Sequence, residues 1–423
     1  MTYKEYKNES YNLYTIKTNK FKTVHMEIVF YNKLDKEKIT STNLITDLLT
    51  HSSKKYNKRK YVVEKLEDLY NASFYGTASR VGNLRTINFV YNFIDPKYAD
   101  KNYLKEVIKF PFDMIFEPNI INDEFDLRSF KIIKNRIVAD IKSIKESPTR
   151  YAIKKGLQYM DDKHPAAIDL TGDLAHLEKI TPSSLVDDYK ELINNYKCDI
   201  LIIGNLDMEK INFMVNEYFR NNIIKNDDFD IYIENKKISK VKEKVEHENF
   251  AQATLVSIFN TKDLSEYEKN YTMLIFNYIF GNGSLTNKLF MNLRENNSLC
   301  YVVNSLYQKY DNLLIVYAGI DEKNKSKAIS LIKKSLKEMQ SGNFSDSDLE
   351  NAIKSMVSTY KSASDSQSSL INNYFFNKLV GIPLIKDRMI EILNIKKEDV
   401  IRVAKKIELN TNYLMAGDNS ERN

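Results

Sequence analysis

Long apolar runs and closely spaced cysteines are both missing from this 423-residue sequence. No apolar stretch approaches the roughly 18 residues that a membrane span needs. The residues TYKEYKNESYN, which follow Met1, are polar where a signal peptide would be apolar. The two cysteines, Cys198 and Cys300, lie far apart and without CxxC spacing, which argues against a disulfide framework and a thiolate metal cluster. We therefore predict a soluble, cytoplasmic protein with no membrane partner.

A strong charge of one sign is also missing. The 63 basic and 57 acidic residues give a formal charge of +6, and the two signs are interspersed. Because nucleic-acid-binding domains cluster their basic residues, we predict no nucleic-acid partner. Hydrophobic residues make up 43% of the chain, which excludes wholesale disorder. The length exceeds that of one ordinary core, so two or more domains are predicted.

The sequence consists of two related halves. The segment FVYNFIDPKYADKNYLKEVIKF is matched by IVYAGIDEKNKSKAISLIKKSL, with Asp95 opposite Asp321 at an offset of 226 residues. Tyr75 and Tyr301 are separated by the same offset of 226 residues. The sequence thus indicates an internal duplication.

Each half has the pattern of strands followed by long helices. HMEIVFY and TLVSIF alternate as strands do, and DEFDLRSFKIIKNRIVADIKSIKES and DSDLENAIKSMVSTYKSA carry apolar residues at helical spacing. We therefore predict an α+β fold of two tandem homologous domains, each an antiparallel-rich sheet packed on one side by helices. The predicted domains are residues 1–220 and 247–423, joined by a charged linker at 221–246.

The second half contains the stretch FGNGSLTNKLFMNLRENNSLCYVVNS, residues 280–305. Its glycines, Gly281 and Gly283, predict a tight bend with close backbone approach. Ser284 is the predicted cap of the helix that follows, and Leu285 is predicted to begin that helix's buried stripe.

After this helix, Arg294 lies at the predicted last turn and Tyr301 lies on the predicted strand. The end of the helix and the start of the strand would hold their guanidinium and phenol near one another.

The duplication and this stretch together resemble the insulinase-like (M16) peptidases, in particular their two-domain branch. The stretch is similar to the family's segment G-G-x-x-S-x-L-F-x-x-L-R-E-x-x-G-L-x-Y, in which the spacing is rigid. A series in the first half is also similar to a stretch of the family. It is carried by Pro148, Pro165, Gly172, Ile180, Thr181, Leu185, Tyr189, Tyr196, Gly204 and Asp207.

Peptidases of this family are zinc enzymes in which an H-x-x-E-H motif supplies two histidine ligands and a glutamate base. The closest two histidines of this chain, His164 and His176, are 12 residues apart, so the motif is absent. Asn43, Thr46 and Asp47 stand where His, Glu and His of the motif would be.

Two other candidate metal ligands remain in this region. His51 follows the position of the motif and has no partner, and Asp140 is nearest to the position of the family's downstream carboxylate. One carboxylate cannot hold zinc. We predict no catalytic residue, metal ligand or cofactor in this chain.

By the same resemblance, the family's Arg/Tyr pair faces the catalytic chamber. Its arginine grips peptide carbonyls, and its tyrosine hydroxyl stabilises the developing oxyanion. Arg294 and Tyr301 match the pair at its spacing of seven residues, and Gly281 and Gly283 are predicted to be substrate-binding as well. Ser298 departs from the family, which usually has glycine at this position.

The resemblance implies a non-catalytic, peptide-binding subunit, similar to proteins of low-GC Gram-positive bacteria. The implied partner is an active homologue that carries H-x-x-E-H and the zinc, in a heterodimer that takes an unfolded peptide as substrate. A homodimer is the other implied assembly. The first alternative is a non-enzymatic scaffold protein, like the core subunits of respiratory complexes that share this fold. The second is an independent metal hydrolase that uses residues not recognised here.

Overall fold

The computed structural model describes residues 1–220 and 229–417. Within these ranges the strands, in chain order, are β1 (Thr2–Lys7), β2 (Asn12–Lys17), β3 (Thr23–Lys33), β4 (Ser73–Val81), β5 (Leu84–Ile94), β6 (Ile120–Ile121), β7 (Glu124–Phe125), β8 (Lys197–Gly204), β9 (Lys242–Glu248), β10 (Ala253–Thr261), β11 (Cys300–Gln308), β12 (Leu313–Ile320) and β13 (Ile407–Gly417).

The α-helices of the same ranges are α1 (Ile39–His51), α2 (Arg59–Asp68), α3 (Tyr103–Phe116), α4 (Leu127–Ser143), α5 (Pro148–Met160), α6 (Leu174–Lys179), α7 (Ser184–Asn195), α8 (Met208–Tyr218), α9 (Met273–Asn277), α10 (Lys325–Gln340), α11 (Asp346–Ala363), α12 (Gln367–Val380), α13 (Ile385–Leu393) and α14 (Lys397–Ala404). Three further turns are π-helical, at Glu268–Thr272, Tyr278–Asn282 and Phe290–Glu295. In the part of the chain that the structure describes, no helix is long and apolar enough to cross a membrane.

The residues form two compact units, and neither unit is one continuous stretch. The first unit takes its described residues from Met1–Lys142, Asp169–Asp230 and Ser364–Gly381; the second takes them from Ser143–Ile168, Ile231–Ala363 and the chain from Ile382 onward.

The first unit is built on a six-stranded sheet of described residues in the order β1-β2-β8-β3-β5-β4, in which β2 and β8 are parallel. The residues of β3 alternate between its two faces, as a pleated strand requires. Val24, Met26, Ile28 and Phe30 pack into one apolar core with residues of α1, α3, α7 and α8. The helices of the first unit therefore cover this face of the sheet.

The second unit repeats this plan. Its described strands form a five-stranded sheet in the order β11-β12-β10-β13-β9, in which β13 and β9 are parallel and the other pairs are antiparallel. Read from the other edge, this order matches that of β2, β8, β3, β5 and β4. The predicted duplication and the predicted α+β fold, with antiparallel-rich sheets, are confirmed.

Each sheet also carries one helix from the opposite half of the sequence on its second face. Helix α5 packs against the second sheet, where its Tyr151 and Leu157 share a core with Val256 and Ile258. Helix α12 lies on the first sheet, where Asn372 Nδ2 donates to the buried Glu27 Oε1 at 2.7 Å. The predicted boundaries follow the order of the sequence, whereas the compact units exchange one helix each.

Part of the predicted linker is folded. Residues 221–228 lie outside the described residues. Further along, Ile231 and Ile233 are buried, and the Ile233 amide donates to the Tyr310 carbonyl at 2.8 Å. Residues 242–246 belong to β9, which pairs with β13, so the linker prediction is wrong for them. Strand β9 lies at the edge of its sheet, and edge strands often carry charged side chains. A charged edge strand therefore has the same composition as a charged linker.

The matched tyrosines Tyr75 and Tyr301 lie on edge strands, β4 and β11, but they are not equivalent in register. Tyr75 pairs with Val90 within β5, whereas Tyr301 follows the pair Cys300–Ile320 at the far end of β12. The turn between β4 and β5 is shorter than the turn between β11 and β12. Equal sequence offsets therefore do not give equal positions in the two sheets.

Candidate functional site

The helix that leads to Arg294 begins later than the sequence predicts. Asn287 is its cap, because the Asn287 Oδ1 accepts from the Phe290 amide at 2.8 Å. The predicted cap, Ser284, precedes this residue, and its carbonyl accepts from the Asn287 amide at 3.0 Å. Leu285 consequently lies outside the helix and is 70% exposed, so its predicted place in the buried stripe is wrong; Leu289 is fully buried.

Arg294 joins this helix to β11. It lies in the π-helical turn Phe290–Glu295, and its Nη1 donates to the Tyr301 carbonyl at 2.9 Å. Its guanidinium carbon lies 5.0 Å from the centre of the Phe290 ring, within the range of a cation–π contact. Two contacts therefore fix the guanidinium at the start of β11.

Tyr301 lies at an irregularity of β11. The pairing with β12 shifts between Cys300–Ile320 and Val303–Ala318, as it does at a β-bulge. The two residues inside the shift point to solvent, with Tyr301 79% exposed and Val302 56% exposed. The structure thus brings the Arg294 guanidinium to the backbone of Tyr301 and leaves the tyrosine side chain accessible.

Ser298 keeps the backbone geometry that a glycine would favour. Its φ is +50°, in the left-handed region. The Ser298 amide donates to the Arg294 carbonyl at 2.8 Å, and the Leu299 amide donates to the Leu293 carbonyl at 2.9 Å. These bonds close the end of the helix in the manner of a left-handed C-cap. The departure from glycine leaves the turn intact.

Gly281 and Gly283 lie at close contacts within the protein. A Cβ on Gly281 would lie 2.4 Å from Leu289 Cδ1 and 2.7 Å from Ser305 Oγ, so this glycine lets the helix pack against β11. A Cβ on Gly283 would lie 2.4 Å from the Tyr278 carbonyl, to which the Gly283 amide donates at 3.0 Å. The predicted close backbone approach is present, and in both cases the approaching group is part of the same chain.

Cys300 lies between these elements and is buried. Burial raises the pKa of its thiol to about 11, against a smaller opposing effect of Arg294. The thiol therefore stays protonated at neutral pH and is a poor nucleophile.

The residues in the place of the zinc motif lie in the first unit. Asn43, Thr46 and Asp47 occupy one face of α1 and line a cleft of about 200 Å³. Asp140 of α4 lines the same cleft, together with Gly76 of the edge strand β4. The structure thus brings together the four side chains that the sequence assigned to this position.

Each of the three α1 side chains is occupied by other contacts. Asn43 donates to the Leu170 carbonyl at 3.0 Å and accepts from Arg85, and the Thr46 hydroxyl donates to the Thr42 carbonyl at 2.6 Å. Asp47 forms an ion pair with Arg136 of α4. An amide, a hydroxyl and a carboxylate paired with arginine are a poor set of donors for zinc. These residues do not fit the metal of the active enzymes.

Burial and two arginines shift the pKa values of the titratable groups around this cleft. Burial raises the pKa of Asp47 overall, although the Arg136 guanidinium acts in the opposite direction. Burial lowers the pKa of His51, and the neighbouring Arg59 and Arg136 lower it further. Within residues 1–220 and 229–417, no three His, Cys, Asp or Glu side chains come close enough to share a metal ion.

Arg136 is the residue of this site that the sequence analysis did not find. It lies one helical turn before Asp140 on α4, so both side chains are on the same face of the helix. The spacing of four residues between Arg136 and Asp140 could have indicated that a cation lies beside Asp47.

Comparisons with known proteins agree with this geometry. A family model described as "Peptidase M16 inactive domain" matches residues 179–356. The chain is 25% identical over 413 residues to "Probable inactive metalloprotease YmfF" of Bacillus subtilis (strain 168), with 95% of each chain covered. It is also 25% identical over 131 residues to "Uncharacterized zinc protease YmxG" of the same organism, covering 30% of this chain and 32% of YmxG.

Solved structures give the same result. A conserved protein from Enterococcus faecalis V583 has a TM-score of 0.92 and 26% identity over 99% of both chains. A peptidase M16 inactive domain from Pseudomonas fluorescens has a TM-score of 0.78 over 99% of this chain and 98% of that one; at 14% identity it shows the fold alone. The predicted resemblance to the insulinase-like (M16) peptidases is confirmed, and the chain is similar to the class of M16 peptidase-like proteins described as inactive. Within this class it is similar along nearly its whole length to YmfF, a protein of the Gram-positive group that the sequence indicated.

Proposed function

We propose that this chain is the non-catalytic, peptide-binding subunit of an M16-type zinc peptidase. Arg294 and Tyr301 would hold the substrate, and a partner subunit with an H-x-x-E-H motif would supply the zinc and cleave the peptide. The observation that carries this proposal is the position of Arg294, fixed by its bond to the Tyr301 carbonyl beside an exposed tyrosine.

The edge strand β11 offers a way to hold the peptide. As the last strand of its sheet, it can pair with an added extended chain. The bulge at Tyr301 and Val302 takes these two residues out of the pairing with β12. A peptide held mainly through its backbone would be bound with little regard for its sequence, as suits an unfolded substrate.

The first unit supports the proposal that one subunit binds the peptide and the other subunit cleaves it. Its residues at the position of the zinc motif are bonded to other groups of the first unit, Asn43 to Leu170 and Arg85, Thr46 to Thr42 and Asp47 to Arg136, so the chemistry would come from the partner. YmxG is named as a zinc protease, the type of protein that such a partner would be.

The test is co-expression of this chain with an H-x-x-E-H homologue from the same genome. The purified pair is assayed for cleavage of an unfolded peptide. We expect Arg294→Ala and Tyr301→Phe each to lower kcat/KM at least tenfold, since one oxyanion donor contributes on the order of a hundredfold in other hydrolases. Size-exclusion chromatography distinguishes a heterodimer from a homodimer.

Matched controls are Arg150→Ala and Tyr61→Phe, which change exposed residues of α5 and α2. Both controls should leave turnover unchanged. If the two site variants cleave as fast as the unmodified pair, Arg294 and Tyr301 do not hold substrate. A complex that forms without any peptidase activity would favour the scaffold role instead.

A further inference from the structure

Two basic side chains lie among tyrosines in the second unit, at the turn that joins β11 and β12. The Lys309 ammonium lies 4.3 Å from the centre of the Tyr310 ring and donates to Asn270 Oδ1 at 2.9 Å. The Arg388 guanidinium carbon of α13 lies 4.7 Å from the centre of the Tyr360 ring. We call this group the tyrosine cluster; its tyrosines are Tyr232, Tyr271, Tyr307, Tyr310 and Tyr360.

The tyrosine cluster has more positive than negative charge. Three cations face it, Lys269, Lys309 and Arg388, together with the carboxylates of Glu266 and Glu391. Glu266 already accepts from Lys269 and from the Tyr232 hydroxyl, both at 2.9 Å. Burial, and then the charge of Arg388, lowers the pKa of Lys309 to about 8. Such a shift indicates that the charge of Lys309 is poorly compensated.

Three buried donors of the tyrosine cluster have no acceptor. The hydroxyls of Tyr271 and Tyr307 and the Nε of Arg388 make no hydrogen bond to any residue that the structure describes. The Tyr271 side chain is only 4% exposed. Buried polar groups are nearly always bonded, so unpaired donors beside an excess of positive charge indicate a missing acceptor.

The backbone here is also unusual. Tyr271 and Thr272 end the π-helical turn Glu268–Thr272, and such turns recur at functional sites because they redirect side chains from the regular helical positions. Nothing in the sequence indicates this turn.

We propose that the tyrosine cluster binds a phosphate-type oxyanion. Arg388 and Lys309 would supply the charge, and the hydroxyls of Tyr271 and Tyr307 would donate to the oxygens. Guanidinium and ammonium groups are the usual partners of phosphate, and phenols add neutral donors. The site is separate from Arg294 and Tyr301, which lie at the opposite end of β11, so it does not depend on the function proposed above.

Calorimetric titration tests this proposal on the full-length protein, in chloride buffer of matched ionic strength. The probes are inorganic phosphate and adenosine monophosphate, which distinguish a free anion from the phosphoryl group of a larger ligand. We expect phosphate to bind the unmodified protein. Arg388→Gln and Tyr271→Phe should each weaken binding about tenfold, the typical effect of losing a hydrogen bond to a charged group. Tyr278→Phe, further along the same helical segment, is the matched control and should bind normally.

Thermal unfolding separates binding from a structural role. Without phosphate, Tyr271→Phe should be as stable as the unmodified protein, because the hydroxyl that it removes has no partner. With phosphate, the unmodified protein should gain melting temperature and Tyr271→Phe should gain less. Two results would overturn the proposal: no phosphate binding at millimolar concentration, or equal binding by both site variants and the control.

Discussion

At the scale of single residues, the site depends on one residue with a left-handed backbone conformation and on two arginines with specific partners. Ser298 adopts a φ of +50°, and Arg294 donates to the Tyr301 carbonyl just beyond that turn. In the first unit, Asp47, which the resemblance assigns to the position of the zinc motif, is paired with Arg136. All of these residues except Arg136 could be singled out from the sequence. Their bonds could not, because each bond joins residues whose distance depends on the fold.

We predict that Ser298→Gly stabilises the protein by about 0.5–1 kcal/mol. A residue with a Cβ is strained in the left-handed region, and this gain exceeds the entropy that glycine adds to the unfolded chain. Urea unfolding should show a higher midpoint. Ser355→Gly within α11 makes the same chemical change in a right-handed helix and should lower the free energy of unfolding by about 0.5 kcal/mol, and with it the midpoint. A lower midpoint for Ser298→Gly would show that the turn does not have this geometry.

A second residue-scale prediction concerns Glu268, which is 3% exposed. Burial alone would raise its pKa, but Lys406, the Ser265 amide and Arg402 outweigh burial and lower it to about 2. Since the folded-state pKa lies below the ordinary value of 4.5, the stabilisation is present above pH 4.5 and is lost as the pH falls through 2.

Glu268→Gln should therefore lower the free energy of unfolding at pH 7, by on the order of 3 kcal/mol as expected for breaking a buried ion pair. The difference from the unmodified protein should shrink as the pH approaches 2. Urea unfolding across this range measures it. Glu350→Gln, at an exposed carboxylate of α11, is the control and should have little effect at any pH. A deficit that stays constant with pH would contradict the ionic role of Glu268.

At the scale of elements, helical spacing explains why the residues assigned to the zinc motif line one cleft of the first unit. Asn43, Thr46 and Asp47 are three and four residues apart on α1, so they share one face, and α4 brings Asp140 to the same cleft. The sequence analysis assigned these residues to the position of the motif, and the structure places them on one face of α1. The start of the helix before Arg294 was predicted wrongly, because Ser284 and Asn287 are both good caps and packing selected Asn287.

This geometry predicts that zinc binding can be restored. In the variant Asn43→His, Thr46→Glu, Asp47→His and Arg136→Gln, two imidazoles one turn apart would face Asp140 without the competing guanidinium. Elemental analysis after dialysis should find about one zinc per chain, held by three protein ligands. Adding Asp140→Asn should remove most of the metal. Zinc binding that is absent, or that does not depend on Asp140, would show that α1 and α4 are not placed as in the active enzymes.

At the scale of the whole molecule, the main feature is the exchange of one helix between the two units. Helix α5 follows α4 in the first half of the chain and completes the second sheet, and α12 follows α11 in the second half and completes the first. Tyr374 and Phe375 of α12 pack edge-on against Tyr3 and Tyr31 of the first sheet, at ring-centre distances of 5.1 and 5.9 Å. Each unit is therefore incomplete without a segment of the other half.

We predict that neither half of the sequence folds by itself. A chain of residues 1–228 would lack α12 and expose the face of the sheet that α12 covers, and a chain of residues 229–423 would lack α5 in the same way. Each should aggregate or bind a hydrophobic dye when expressed alone. Co-expression should give a soluble complex with the circular dichroism spectrum of the intact protein. A stable, monomeric first half would contradict the exchange.

The sequence by itself determined the duplication, the α+β class, the loss of the zinc motif and the resemblance to the M16 peptidases. These follow from periodicity, residue type and spacing, which are local properties of the chain. The tertiary structure alone decided that α5 and α12 cross to the opposite sheets, that Arg136 pairs with Asp47, and that Arg294 binds the Tyr301 carbonyl. The sequence shows that an amphipathic helix must bury its apolar face and that a charged side chain needs an opposite charge. Which element or residue meets that need depends on tertiary packing.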